Sequence, residues 1–176
     1  MRRTESHSWR RQPLIWAAAI FFGLISLSCP QAKPLDAPDT ILSAIQDRGA
    51  RNIVAEMNRG KGRVWDKVLD KIETGDRKWL EVAASLREGT DAGTSEGLSI
   101  AVAHALLHAP ERVLAMTPGL FQLDDICTMP DIEPPLPLYR SYILKAKTAL
   151  AGVHQAELRE VRDRCVEAFD ALPPSP

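Results

Sequence analysis

SEGLSIAVAHALLH, residues 95–108, is the stretch that decides the fold. Its apolar residues lie nearly all round a helix rather than on one stripe, and the large ones are Leu98, Ile100, Val102, Leu106 and Leu107. A helix that is hydrophobic nearly all round is enclosed by other elements. We therefore predict a central helix from Ser95, its expected N-cap, to about His108.

This stretch forms the first arm of the second of two predicted helical hairpins. Apolar residues three or four apart predict helices at 64–72 and 79–86, separated by the turn at 74–76 (TGD). Pro110 suits the first turn of a helix after the central one, because the missing N–H has no partner there. A shift of 34 residues lays the first hairpin over the second and aligns their turns. This period is typical of HEAT or TPR-like stacked repeats, although two amphipathic hairpins can also align by chance.

One more helix is predicted before the hairpins. Its apolar stripe runs from Ile41 to Met57, with a weak point at Gly49, and Asp39 or Thr40 can cap it. The glycines of NRGKG, residues 58–62, end this helix.

The C-terminal part of the chain predicts two helices after a long connection. Residues 117–137 contain five prolines and no clear periodicity, whereas 138–152 and 158–172 each carry a helical stripe. No segment alternates as a strand does. We predict an all-α domain of six or seven helices over residues 39–172, followed by a disordered tail at 173–176.

The first 28 residues have the layout of an export signal. Residues 1–13 carry four arginines and one glutamate, and residues 14–27 are uncharged and largely apolar. Fourteen helical residues reach about 21 Å, which is short of the ~30 Å hydrocarbon core of a bilayer. Ser26 and Ser28 supply small side chains where a signal peptidase cuts, so cleavage is predicted before Cys29.

Three fates of Cys29 stay open. The junction resembles the bacterial lipobox, in which the cysteine after the cut is diacylated, but Ser26 and Leu27 depart from that pattern. The alternatives are ordinary secretion and an uncleaved anchor. We favour a lipoprotein, exported to the periplasm and held at the membrane by lipid on Cys29, with residues 29–38 as a tether.

The net charge indicates which partners are disfavoured, and the number of cysteines bears on the redox state of the compartment. Without residues 1–28, which hold four arginines and one glutamate, 148 residues remain with 18 basic and 22 acidic side chains. This mildly acidic balance without a basic run argues against nucleic acid as a partner. Cys127 and Cys165 are an even pair, and in an oxidising compartment they predict a disulfide rather than two buried thiols.

Three patterns could carry chemistry, and each has a simpler structural explanation. GTSEG at 93–97 matches GxSxG, and Asp125 and His154 follow Ser95 in the order of a hydrolase triad, but no strand precedes the motif. His104 and His108 stand four apart and could bind zinc, without an obvious third ligand. Acidic residues of the long connection could do acid–base work if folding brings them together: Asp124, Asp125, Asp131 and Glu133.

A resemblance covers about a third of the chain, between Trp65 and Leu114. The residues that carry it are Trp65, Ile72, Gly75, Trp79, Leu80, Thr90, Asp91, Ala92, Glu96, Ala105, Leu106, Pro110, Val113 and Leu114. In these positions the chain resembles small exported helical proteins and lipoproteins, HEAT-like in build, of Gram-negative bacteria. The resemblance implies export and a helical fold, and it implies no catalytic residue.

These observations favour a binding protein over an enzyme. We expect a non-catalytic, lipid-tethered helical module that binds a protein or peptide of the cell envelope and needs no cofactor. The alternative is a periplasmic hydrolase or metal-binding protein that uses Asp124 and Asp125, or His104 and His108.

Overall fold

A computed structural model describes residues 34–173 of the chain, and within that range the protein is all helical. The nine α-helices of this part are α1 Pro38–Arg48, α2 Ala50–Met57, α3 Arg63–Glu73, α4 Arg77–Leu86, α5 Ala92–Ala105, α6 Pro110–Ala115, α7 Leu123–Ile126, α8 Leu136–Ala151 and α9 Arg159–Ala171. Two short 3₁₀ helices, Arg87–Gly89 and Ala156–Leu158, complete it. The all-α prediction is confirmed.

The predicted signal at 1–28 and Cys29 lie outside the described residues, as do residues 174–176. Of the predicted tether, only its C-terminal part is described. There Leu35 is 9% exposed and belongs to the hydrophobic core, and Pro38 already begins α1. None of the helices between residues 34 and 173 is long and apolar enough to cross a membrane.

Helix α5 lies at the centre of the described domain. It packs against α3, α4, α6 and α7, and its Leu98, Ala101 and Val102 are fully buried. From α8, the Tyr142 hydroxyl donates to the Ala103 carbonyl at 2.9 Å. Burial of each large aliphatic side chain stabilises the fold by roughly 1.5–3 kcal/mol. The central helix predicted from its apolar composition is therefore present.

Both ends of α5 differ from the prediction. Asp91 caps the helix instead of Ser95, because its carboxylate accepts from the Thr94 N–H at 3.0 Å while the Thr94 hydroxyl accepts from the Asp91 N–H at 2.8 Å. This reciprocal pair satisfies two backbone donors, which a single serine cap cannot do. At the other end α5 stops at Ala105, and the N–H groups of residues 106–108 bond three residues back in a tightened turn.

The helix predicted from residue 40 to Met57 is two helices. Gly49 has a φ of +82°, a conformation that L side chains rarely adopt, and it separates α1 from α2. The predicted irregular connection at 117–137 also contains the short helix α7. Because of these two features, the described residues contain nine α-helices and not the six or seven that were predicted. The turn predicted at 74–76 is present, and its Asp76 is the N-cap of α4, because its carboxylate accepts from the Lys78 and Trp79 N–H groups.

The α3–α4 and α5–α6 hairpins lie side by side. Helix α3 packs on α5, and α4 packs on α6. The turns also touch: a Cβ added at Gly75 would lie 3.0 Å from the Cβ atoms of His108 and Ala109. The Arg112 guanidinium donates to the Gly75 carbonyl at 3.4 Å. Gly75 and Ala109 are the residues that the 34-residue shift pairs.

Gly89 marks a close approach of two backbone segments. A Cβ at this position would lie 2.4 Å from the Ala50 carbonyl carbon and 2.5 Å from the Arg51 nitrogen, at the start of α2. Backbone atoms cannot rotate away as a side chain can. We predict that Gly89→Ala lowers the free energy of unfolding by roughly 3 kcal/mol, measured by urea denaturation followed by circular dichroism.

Gly93→Ala is the matched control for this substitution. A Cβ at Gly93, in the first turn of α5, meets no atom within 4 Å. Because glycine within a helix is roughly 0.5–1 kcal/mol less favourable than alanine, the control variant should be as stable as the parent or slightly more stable. Equal stability of the two variants would contradict the close approach at Gly89.

Candidate functional site

A groove of about 390 Å³ runs along the N-terminal half of α5. Its first wall is a stripe of α5 residues three or four positions apart, namely Ala92, Ser95, Glu96, Ser99 and Ile100. Its second wall comes from the segment after residue 123, through Asp124, Asp125, Thr128, Met129, Pro130 and Ile132. We call this the α5 groove. Its volume falls within the range of about 300–1,000 Å³ that is usual for ligand sites.

A disulfide holds the second wall in place. Cys127 follows α7 and Cys165 lies on the buried face of α9, with their sulfur atoms 2.01 Å apart. The two cysteines are 1% and 0% exposed. The predicted pairing of Cys127 with Cys165 is therefore present in the structure. The bond joins the segment around α7 to a packed helix, which restrains the wall relative to α5.

An imidazole–carboxylate contact bridges the two walls beyond Ile100. His104, one turn further along α5, places its Nε2 3.1 Å from Oδ1 of Asp131. The edge of its ring packs on the ring of Tyr142, with centroids 5.8 Å apart. Burial raises the pKa of the Tyr142 phenol far above its usual range, which keeps the hydroxyl a donor to the Ala103 carbonyl. This network fixes His104 and, through it, the loop at Asp131.

Glu73, at the end of α3, is an electrostatic neighbour of this contact. Desolvation by burial raises the pKa of its carboxyl, and the negative charges of Asp70 and Asp131 raise it further. The nearby His104 acts in the opposite direction and lowers the pKa of Glu73. The His104–Asp131 pair thus lies in a locally acidic environment.

The residues of the hydrolase hypothesis are not brought together as a triad. The Ser95 hydroxyl accepts a hydrogen bond from Arg87, whose Nε also donates to the Leu120 carbonyl at 3.0 Å. Asp125 lines the same groove as Ser95, but His154 lies beyond α8 and is not among the groove residues. Ser95 also stands within a helix, without the strand that a nucleophile elbow needs.

The two candidate zinc ligands have different surroundings. His104 faces Asp131, while His108 lies exposed in the turn after α5, beside a shallow depression that includes Glu111 and Arg112. Across residues 34–173, no group of three or more His, Cys, Asp or Glu side chains is arranged to hold a metal ion.

Reasoning from the sequence found three of the eleven groove residues, Ser95, Asp124 and Asp125, and missed the rest, of which Ser99 and Ile132 are examples. Ser99 was counted within an apolar helix, yet it lines the groove with 6% exposure. Its position four residues after Ser95, which puts both hydroxyls on one face, was the available signal. Ile132 lines the groove and is 84% exposed, and its isolation among prolines and acids gave no periodic signal.

No protein-family model, curated protein or solved structure matches this chain. The composition of the α5 groove is therefore the basis on which function is inferred. Its walls combine hydroxyls, carboxylates and apolar side chains on a disulfide-held scaffold.

We predict that loss of the Cys127–Cys165 bond destabilises the protein and loosens the second wall. A cross-link between residues 38 apart contributes about 4 kcal/mol on the chain-entropy model. Urea denaturation with and without reductant measures the change, and amide hydrogen exchange should show lost protection in 124–132 with α3 retained. A matched variant, Cys127→Ala with Cys165→Ala, should behave like the reduced protein. An unchanged denaturation midpoint would contradict the prediction.

We predict that Glu73→Gln stabilises the protein at neutral pH. Because the folded-state pKa of Glu73 is raised, its ionisation opposes folding once the pH rises through that value. The urea midpoint of the variant should exceed that of the parent at pH 7, and the difference should shrink below about pH 4, where the carboxyl is protonated in both states. Glu167→Gln, at an exposed position of α9, is the control and should give no such pH-dependent gain.

Proposed function

We propose that this protein is a non-catalytic, exported module that binds a protein or peptide segment of the bacterial envelope in the α5 groove. The observation that carries the proposal is the way the groove is built. The disulfide ties the second wall to α9 through Cys127 and Cys165, and the His104–Asp131 contact joins that wall to α5, so the groove is a fixed feature of the fold. Fixed concave sites bind with little ordering of the protein.

We infer a HEAT or TPR-like stack of the two central hairpins. The contact of Gly75 with Ala109, 34 residues apart, and the pairing of α3 with α5 and of α4 with α6 support it. Stacked helical hairpins use one face for their common core and leave another for extended binding surfaces. The faces of helix α5 are divided in the same way: one packs against α3 and another lines the groove.

The export part of the proposal rests on the basic and apolar layout of residues 1–28 and on the lipobox-like junction at Cys29. The Cys127–Cys165 disulfide in the described domain supports it independently, because stable disulfides form in oxidising compartments. The cell envelope satisfies both observations.

A periplasmic hydrolase is the competing function, because Asp124 and Asp125 line the same groove as Ser95. It would need a base within reach of the serine hydroxyl, and that hydroxyl instead accepts from Arg87. Metal binding through His104 and His108 would need a third ligand close to both histidines. Binding requires neither rearrangement, so we favour it.

The partner is sought by affinity capture of the tagged, mature protein from envelope extract, with quantitative mass spectrometry. Ile132→Asn removes an exposed apolar side chain from the groove rim and should reduce recovery of a true partner about tenfold, since 1.4 kcal/mol of lost apolar burial is a factor of ten. Leu144→Asn, at a 68% exposed position of α8 outside the groove, is the matched control. Equal recovery with both variants would contradict binding in the groove.

The N-terminal mass of the protein extracted from membranes tests its processing. We expect the chain to begin at Cys29 and to carry acyl chains there. A Cys29→Ala variant should lose both the acyl mass and the membrane association. Recovery of chains that retain Met1, in the cytosol and with free thiols at Cys127 and Cys165, would contradict export.

A further inference from the structure

The α5 groove carries charge of one sign. Three of its eleven lining residues are exposed carboxylates, Glu96, Asp124 and Asp125, and none is a lysine, arginine or histidine. One cation lies beside the groove, because Arg87 donates to the Ser95 hydroxyl and to the Leu120 carbonyl, with its guanidinium 5.1 Å from the centroid of the Phe121 ring. The three carboxylates of the lining outnumber this single positive charge. Like charges around a concave surface concentrate the potential inside it. The groove therefore attracts cations.

Ser99 adds a neutral polar group to the groove lining. It is a polar residue, 94% buried, that lines the groove. A serine hydroxyl both donates and accepts hydrogen bonds, so at this position it can accept from a donor that enters the groove.

Apolar side chains lie beside the acidic ones. Ile100, Met129 and Pro130 line the groove, and Ile132 is 84% exposed at its rim. Lysine and arginine pack their aliphatic stems on apolar surface while their charged ends find acceptors. A simple metal ion would leave this apolar surface unused, whereas a basic peptide segment covers it.

We propose that the α5 groove binds a basic segment of a protein or peptide. A lysine or arginine side chain of the ligand enters between Glu96 and the Asp124–Asp125 wall and donates to these carboxylates and to the Ser99 hydroxyl. An apolar residue next to it in the ligand packs on Ile132. This inference rests on the proposed function and adds to it the chemical class of the ligand.

The test uses three synthetic hexapeptides that differ at two positions, where the side chain is cationic, neutral or anionic. They are capped Gly-Leu-Arg-Leu-Arg-Gly and its counterparts with glutamine or glutamate in place of both arginines, each titrated into the ¹⁵N-labelled mature protein. The arginine peptide should shift the amide signals of 92–100 and 124–132 and should bind at least tenfold more tightly than the other two. Its affinity should fall as salt is added, because exposed charges are screened.

Substitutions in the groove add a second arm to the test. Asp124→Asn with Asp125→Asn should weaken binding of the arginine peptide about tenfold or more. Asp47→Asn with Glu167→Gln removes the same charge from exposed positions of α1 and α9 and should leave the affinity unchanged. Ser99→Ala should weaken binding roughly twofold to tenfold, the value of one hydrogen bond.

Several outcomes would overturn the inference. If the glutamine peptide binds in the groove as tightly as the arginine peptide, the ligand is not basic, and the proposed function still stands. If no peptide shifts the amide signals of the groove residues, both the basic ligand and the proposed function are refuted. Spermidine and calcium ions are titrated separately. If either shifts the same amide signals with the affinity of the arginine peptide, the ligand is a free amine or a metal ion and not a peptide.

Asp124 and Asp125 also lie in the first turn of α7, where acids stabilise a helix, so unfolding midpoints of all variants are measured. If the double Asn variant fails to fold, the three-peptide comparison on the parent protein decides.

Discussion

A helix without a polar face must be enclosed on most of its surface, and this requirement governs the arrangement of the helices around α5. Helices α3, α4, α6 and α7 pack against it, and Tyr142 of α8 bonds to its backbone. One stripe of α5 carries hydroxyl and carboxyl groups at helical spacing, through Ser95, Glu96 and Ser99. That stripe remains accessible, and it became the first wall of the groove. Burial of α5 thus determines both the centre of the fold and the position of the site.

The helices were largely predictable from the sequence because their signals are local. Apolar spacing, the Asp76 cap and the proline at the start of α6 each act within a few residues. The errors in the predicted helix ends also arise from neighbouring residues. Asp91 and Ser95 are both good caps, and only the reciprocal bond with Thr94 decides between them. Gly49 was recognised as a weak point, but whether it bends or breaks a helix depends on the packing of α2 against its neighbours.

The site was much less predictable than the helices. The sequence supplied Ser95, Asp124, Asp125 and the cysteine pair as separate candidates, and the disulfide followed from an even number of cysteines and an expected compartment. Their convergence on one groove depends on tertiary contacts between residues far apart in the chain, such as His104 with Asp131, 27 positions later. Side-chain periodicity carries no information on such distances. The distribution of acids around a concave surface became visible only in three dimensions.

The cross-link between Cys127 and Cys165 also sets an order of events during biosynthesis. Cys165 belongs to α9, the last helix of the described domain, so it leaves the ribosome after every other element of that domain. The hairpins α3–α4 and α5–α6 can pack while α9 is still being synthesised, because chains fold progressively from their N-termini. The second wall of the α5 groove is therefore the last part to be cross-linked. A chain truncated before α9 would lack the bond that holds this wall, so the finished groove depends on completion of synthesis.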